Sequence, residues 1–189
     1  MILGILLAAG ASRRMGRDKL GLPWRGTTVL GATLDRWAAV PELDEILLVR
    51  RHPDPASQRP RVRLLVNDNA DEGMGSSFRL AANALPSGTE AIVFGFADMP
   101  EIAPATIAAL IAAWRPLGPR AIVAPVFAGK RGHPVVFGAY HFPALRELTG
   151  DQGGRAILQR HAADLTLVPV DDSGVFFDLD TPADLETRA

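Results

Sequence analysis

The sequence predicts an open, mostly parallel α/β sheet with helices on both faces, a three-layer α/β/α arrangement expected to form one domain over residues 1–189. Two observations carry this expectation. Nearly unbroken apolar runs at 2–9, 45–49 and 91–96 suit strands buried on both faces, as parallel strands are. Between them lie stretches with apolar residues at helical spacing, the pattern of strands joined by helical crossovers.

The first strand breaks into Gly10-Ala11-Ser12-Arg13-Arg14-Met15-Gly16-Arg17-Asp18-Lys19, a glycine-marked loop that carries the cations Arg13, Arg14, Arg17 and Lys19. Small residues there let a ligand approach the backbone, and free amides beside cations suit a nucleoside triphosphate. A solvated basic turn after a buried strand accounts for the same residues. The spacing matches neither the P-loop nor the dinucleotide G-x-G-x-x-G.

Thr27-Thr28 caps a helix bearing Val29, Leu30, Leu34, Trp37 and Ala38, which Pro41 ends. Residues 45–49 form the second strand; 52–60, with Pro53, Pro55 and Pro60, are loop. A third strand at 62–66 leads into a polar loop over 67–77. A helix then starts at Ser76-Ser77, carries Phe78, Leu80, Ala81, Ala84 and Leu85, and closes at Pro86. The fourth strand, 91–96, runs straight into Ala97-Asp98-Met99-Pro100. The next helix covers 104–114, with Pro104 in its first turn. A fifth strand at 120–126 is followed by a turn at 129–132 into a strand at 134–137, then short helices at 139–148 and 155–162. A strand at 165–170 and a shorter one at Phe176-Phe177 precede a final helix capped by Thr181, with Pro182 at its first position.

Composition excludes several function classes. With 48% hydrophobic and 22% charged residues, the chain folds around a core. A net charge of −1 and a pI near 6.4 supply no basic surface for nucleic acid or an acidic membrane. Without cysteine there is no disulfide, thiolate metal site or thiol nucleophile, which fits a reducing cytoplasm. The N-terminal apolar run imitates a signal peptide, but its arginines follow the apolar core instead of preceding it. The apolar stretch at 102–114 is too short to span a bilayer. The expected setting is cytoplasmic, with no membrane partner. Charge is uneven along the chain: residues 1–40 are rich in cations, and 171–189 carry Asp171, Asp172, Asp178, Asp180, Asp184 and Glu186.

Ligands of such sheets sit beyond the carboxyl ends of the strands, where Gly10 and Asp98 both fall. The Asp98 carboxylate can hold Mg²⁺ beside substrate phosphates, or simply cap local amides. Asp180, before Thr181-Pro182, reads from the residues alone as an ordinary helix start, and Ser76-Ser77 as helix caps or an anion site.

Residues 7–19, L-A-A-G-A-S-R-R-M-G-R-D-K, resemble the L-A-A-G-x-S-x-R-M-G-x-x-K signature of nucleotidyltransferases of the molybdenum cofactor type. That superfamily also includes cytidylyltransferases and sugar-nucleotide pyrophosphorylases. The resemblance implies their Rossmann-like nucleotide-diphospho-sugar transferase fold. It also implies that Arg13 and Lys19 bind the triphosphate and act in catalysis with Asp98, while Arg14 and Arg17 face solvent. The nucleotide would lie against Ala8, Ala9, Gly10, Ala11 and Ser12.

Further segments extend the resemblance to nearly the whole chain. Asp98-Met99-Pro100 resembles the family's metal-binding D-x-P element, and residues 178–185 its D-x-D-T-P-x-D-L segment. Asp98 and Asp180 are thus implied as Mg²⁺ ligands, with Asp178 as competitor for the second place. Asn67 and residues 73–77 are similar to the N…G-M-x-S-S of the molybdopterin cytidylyltransferase branch, which places Asn67 and Ser76 near the nucleotide. Gly132-His133-Pro134 and residues 150–155 resemble its G-H-P and G-D-x-G-x-R elements, so Gly132, His133, Asp151 and Arg155 are implied to face the acceptor. Ala9, where guanylyl members have glycine, implies CTP in place of GTP. The expected activity is Mg²⁺-dependent transfer of CMP from CTP to the phosphate of molybdopterin or its molybdenum form, with release of pyrophosphate. Two alternatives stay open: another phosphorylated acceptor, or a non-catalytic nucleotide-binding partner of a molybdoenzyme.

Overall fold

Strand β1 (Ile2–Ala8) is buried along its whole length, and its side chains divide by parity. Leu3, Ile5 and Leu7 enter one apolar cluster; Ile2, Leu6 and Ala8 enter another, so the strand has a core on each face. The structure, a computed structural model, describes residues 1–10, 18–55 and 58–179.

A small ribbon, β2 (Pro23–Trp24) with β3 (Thr27–Thr28), leads into α1 (Val29–Ala38), where Thr28 Oγ1 accepts the Gly31 N–H at 3.0 Å and caps the helix. Strands β4 (Glu45–Arg50) and β5 (Val62–Val66) follow, then α2 (Met74–Asn83), β6 (Ala91–Phe96) and α3 (Pro104–Trp114). The remaining elements are β7 (Ile122–Phe127), β8 (Lys130–Arg131), β9 (Val135–Gly138), α4 (Phe142–Arg146), α5 (Gly154–Arg160) and β10 (Leu165–Pro169).

The main sheet has the order β10-β7-β9-β6-β1-β4-β5, with β8 paired to β7. Helices α1 and α3 cover the face that holds Leu6; α2, α4 and α5 cover the face that holds Ile5. The α1 layer packs very close. A Cβ at Gly4 or Gly95 would meet the Trp37 ring at 3.0 and 2.6 Å, so these two glycines let the indole lie flat on adjacent strands. After β1 the chain builds outward through β4 and β5, then returns to place β6 on the other side of β1. The carboxyl ends of β1 and β6 therefore flank the point where strand order reverses, the position at which such sheets bind ligands.

The mixed character of the sheet has a local cause. Ala128 (φ 48°) and Gly129 (φ 76°) both take the left-handed conformation of a tight hairpin, which turns β7 into β8. With no helix between β7 and β9, the chain has no crossover, and β9 lies antiparallel to both β6 and β7.

Four expected elements differ. Helix α2 begins at Met74, before Ser76-Ser77, because the Gly150 carbonyl accepts the Gly75 N–H at 2.8 Å and Ser76 Oγ donates to the Gly73 carbonyl. Phe176-Phe177 is not a strand: Asp172 accepts the Gly174 N–H at 2.9 Å and curls residues Ser173–Phe176 into a 3₁₀ turn. The helices expected at 139–148 and 155–162 shorten to a 3₁₀ turn plus α4, and to α5. The helix expected after Thr181 lies outside the described residues. Among those described, no helix is long and apolar enough to cross a membrane.

Candidate functional site

A cleft of about 790 Å³ opens at the strand-order reversal. Ala8, Ala9 and Gly10 form its floor at the end of β1, and a Cβ on Gly10 would meet none of the described atoms within 4 Å. Beside them β6 leads into Ala97 and Asp98, whose backbone is fixed from three directions. The Ala97 N–H donates to the Leu7 carbonyl (3.0 Å), Thr33 Oγ1 donates to the Ala97 carbonyl (2.9 Å), and the Leu179 N–H donates to the Asp98 carbonyl (3.0 Å).

Lys19 reaches the same point from a 3₁₀ turn at Lys19–Gly21. Asp18 caps that turn, accepting the Leu20 N–H, and its other oxygen accepts from Arg50 Nη2 at 2.7 Å. Buried Leu20 and Leu22 anchor the turn in the core. As a result Lys19 Nζ stands 2.6 Å from Asp98 Oδ2, with the two side chains only 15% and 19% exposed. Asp98 Oδ1 is buried and has no hydrogen-bond partner among the described residues. Such an orphaned carboxylate oxygen is costly unless a ligand completes it.

Opposite, Gly132 and His133 enter the cleft from the segment after β8. A Cβ at Gly132 would lie 2.6 Å from the Val175 carbonyl oxygen, and the His133 N–H donates to that same oxygen. The His133 ring packs edge-on against Phe96 at 4.8 Å. Burial, aided by the Arg131 cation, lowers its pKa to about 4, so the imidazole is neutral near pH 7; its Nδ1 is buried without a partner among the described residues.

The third wall joins two loops. Gly73 has φ +100°, and a Cβ on it would meet the Gly150 backbone at 2.5 Å; Gly73 and Asp151 line the cleft side by side. Asn67 lies behind this wall. Its Nδ2 donates to Ser76 Oγ and Ser77 Oγ (both 2.9 Å), and its Oδ1 accepts the Asn69 N–H.

Of the residues singled out from the sequence, the fold gathers Ala8, Ala9, Gly10, Lys19, Asp98, Gly132, His133 and Asp151 around one cavity. It does not bring Asn67 or Ser76 to the lining; both are buried and saturated by internal hydrogen bonds, while the neighbouring Ser77 faces the cleft. Arg155 is exposed on α5 and does not line the cleft. Ala11, Ser12, Arg13 and Asp180 lie outside the described residues. Asp178 does line the cleft, brought there as Leu179 bonds to Asp98.

Sequence reasoning missed Arg51. Its Nε donates to the Ala9 carbonyl (2.7 Å), Nη2 to the Ala70 carbonyl and Nη1 to Asp71, which ties the end of β1 to the 70–72 turn. The available signal was its place one residue past β4, level with the end of β1.

Residues 4–165 match the MobA-like NTP transferase domain. The chain belongs to that family. Among curated relatives, it is 31% identical to "Purine catabolism protein PucB" of Bacillus subtilis, across 98% of this chain and 94% of that protein. It is 28% identical to "Molybdenum cofactor cytidylyltransferase" of Escherichia coli, across 97% and 93%. The crystal structure of Rv0371c from Mycobacterium tuberculosis is 32% identical, covers 98% of this chain and 95% of its own, and superposes with a TM-score of 0.85; the same protein has been crystallised in complex with manganese. The chain is thus a MobA-like nucleotidyltransferase with the superfamily's mostly parallel α/β fold.

Proposed function

We propose that this MobA-like protein transfers CMP from CTP to the phosphate of a molybdopterin-type acceptor and releases pyrophosphate. An acceptor phosphate oxygen attacks the α-phosphorus; the new O–P bond forms as the bond to the β-phosphate oxygen breaks. No protein nucleophile is needed, since positioning and charge stabilisation suffice for such a step.

The observation that carries this reading is the Lys19–Asp98 pair, largely buried at the strand-order reversal, with no partner for Asp98 Oδ1 among the described residues. Lys19, with Arg13 from the sequence signature, neutralises charge on the leaving pyrophosphate. Asp98, with Asp180 or the cleft-lining Asp178, forms a hard oxygen donor set suited to Mg²⁺. Such an ion supplies charge neutralisation on the phosphates when bound. Ala8, Ala9 and Gly10 seat the nucleotide, and Arg51 fixes that floor. Asn67 and Ser76 act from behind the wall, by holding Ser77 and the 73–77 turn in place. Gly132, neutral His133 and Asp151 face the acceptor, with Arg155 farther out. Ala9 and the name of the Escherichia coli relative support CTP and a molybdopterin acceptor.

The name of the PucB relative favours a second reading, in which the same transfer serves another phosphorylated acceptor. Pyrophosphate release measured with CTP or GTP, each with and without molybdopterin, separates the readings. Release with CTP that requires molybdopterin is the expected result. Release with CTP and a different phosphorylated acceptor favours the second reading, and no release from any combination overturns the enzyme assignment for these substrates.

A further inference from the structure

A second cluster of ligating side chains sits at the other end of the sheet from the cleft. Arg120 precedes β7, Asp164 precedes β10, and His141 follows β9, which runs the opposite way; all therefore reach the edge where the parallel strands begin. His161 closes α5 on the same side, three residues before Asp164.

Asp164 Oδ2 stands 3.5 Å from His161 Nδ1 and 3.9 Å from His141 Nε2. The two imidazoles meet edge to face, with centroids 4.8 Å apart. One donor atom from each of the three residues lies within 4.8 Å of the others. The rest of the surroundings prepares them. Arg120 Nε donates to Asp164 Oδ1 at 2.9 Å, which holds the carboxylate in place and leaves Oδ2 toward the two imidazoles. The His141 side chain is fully buried; Nε2 lies 2.8 Å from the Arg120 carbonyl, and Nδ1 has no hydrogen-bond partner among the described residues. Metal-ligating histidines resolve that situation by giving one nitrogen to the ion and the other N–H to a backbone carbonyl, while the ligating carboxylate keeps a hydrogen bond of its own.

We propose that His141, His161 and Asp164 form a binding site for a borderline transition-metal cation of the Zn²⁺ class. Two imidazoles and one carboxylate suit such an ion, whereas Mg²⁺ prefers oxygen alone. The Nε2–H of His141 is given to the Arg120 carbonyl, so Nδ1 is its ligating atom. Ligand bonds of about 2.0–2.2 Å in a tetrahedron place donors roughly 3.4 Å apart, which the 3.5 Å between Asp164 Oδ2 and His161 Nδ1 already meets. His161, 21% exposed, opens the cluster to solvent, the source of a fourth ligand. Bound there, the ion fastens the end of α5 and the turn before β10 to the segment after β9, and braces an edge strand. The site is independent of the nucleotide cleft and of its chemistry.

The test uses the full chain stripped of metal, titrated with ZnCl₂ by calorimetry and melted with and without zinc. One Zn²⁺ per chain and a raised melting temperature are expected, neither reproduced by millimolar MgCl₂. His161→Ala and Asp164→Asn, both outside the fully buried core, weaken zinc binding at least tenfold and remove the thermal shift. Co²⁺ offered to the unaltered protein gives the intense visible bands of a four-coordinate site, a readout that needs no variant. Failure of the unaltered protein to bind zinc stoichiometrically overturns the proposal. So does zinc binding that both variants retain, since that assigns the ion to another site, the cleft carboxylates included.

Discussion

Two parts of the cleft's surroundings, both marked by polar motif residues, behave differently. Across the cleft, on the walls that carry Lys19, Asp98 and His133, polar atoms remain incomplete: Asp98 Oδ1 and His133 Nδ1 are buried without partners among the described residues. Behind the wall of Gly73 and Asp151, the Asn67 amide and the Ser76 and Ser77 hydroxyls all find partners within the protein. A motif residue can thus receive a ligand or shape the receptacle, and hydrogen-bond saturation distinguishes the two. The first part is poised for a ligand and the second for rigidity.

The sharpest way to break this contrast is Asp98→Ala. Pyrophosphate release should fall about 10³-fold with the circular dichroism spectrum unchanged; retained turnover would take Asp98 out of the chemistry. Lys19→Met should follow with a loss of roughly 10²-fold, most of it in kcat, because its cation acts on charge that develops in the transition state. A drop confined to KM would make it a ground-state phosphate contact.

His133 offers a test by pH. Its pKa is about 4 in the folded protein against an ordinary 6.5, so the unfolded chain takes up the proton first. Its contribution to stability is complete above pH 6.5 and is lost as pH falls from 6.5 to 4. Urea unfolding at about pH 7 and about pH 4 should show His133→Gln relieved of that loss, by on the order of 2 kcal/mol after allowing for partial screening. Parallel pH profiles for the two proteins would mean that His133 titrates normally. The smallest effect should come from the saturated part. Asn67→Ala should cost about 1–2 kcal/mol of stability, since it removes the donor to two buried hydroxyls, yet lower turnover less than about tenfold. A larger loss of activity than of stability would move Asn67 to the receiving side.

Much of this molecule is legible in its sequence. The spans of α3, β5 and β6 follow from apolar runs bounded by proline, glycine and polar residues, and Thr28 and Pro104 mark the starts of α1 and α3 as capping chemistry requires. Where the local pattern misleads, the cause is an interaction it does not contain. Ser76-Ser77 reads as a pair of caps, but the Gly150 carbonyl starts α2 earlier. Phe176-Phe177 reads as extended, but the Asp172 side chain curls the segment before it. Arg51 stands out only by its place just past β4, because its three partners belong to other segments.

By itself the sequence determined the alternation of strands and helices, the carboxyl-end placement of Gly10 and Asp98, and the signature that marks a nucleotidyltransferase. These depend on side-chain periodicity, backbone permissiveness and short-range capping, all written within a few residues. Only the tertiary structure decided that Lys19 meets Asp98, that Asn67 is spent on its own loop, and that His141, His161 and Asp164 converge at the far end of the sheet. Each of those outcomes depends on which distant groups satisfy a buried polar atom, and strand order, not local sequence, sets that.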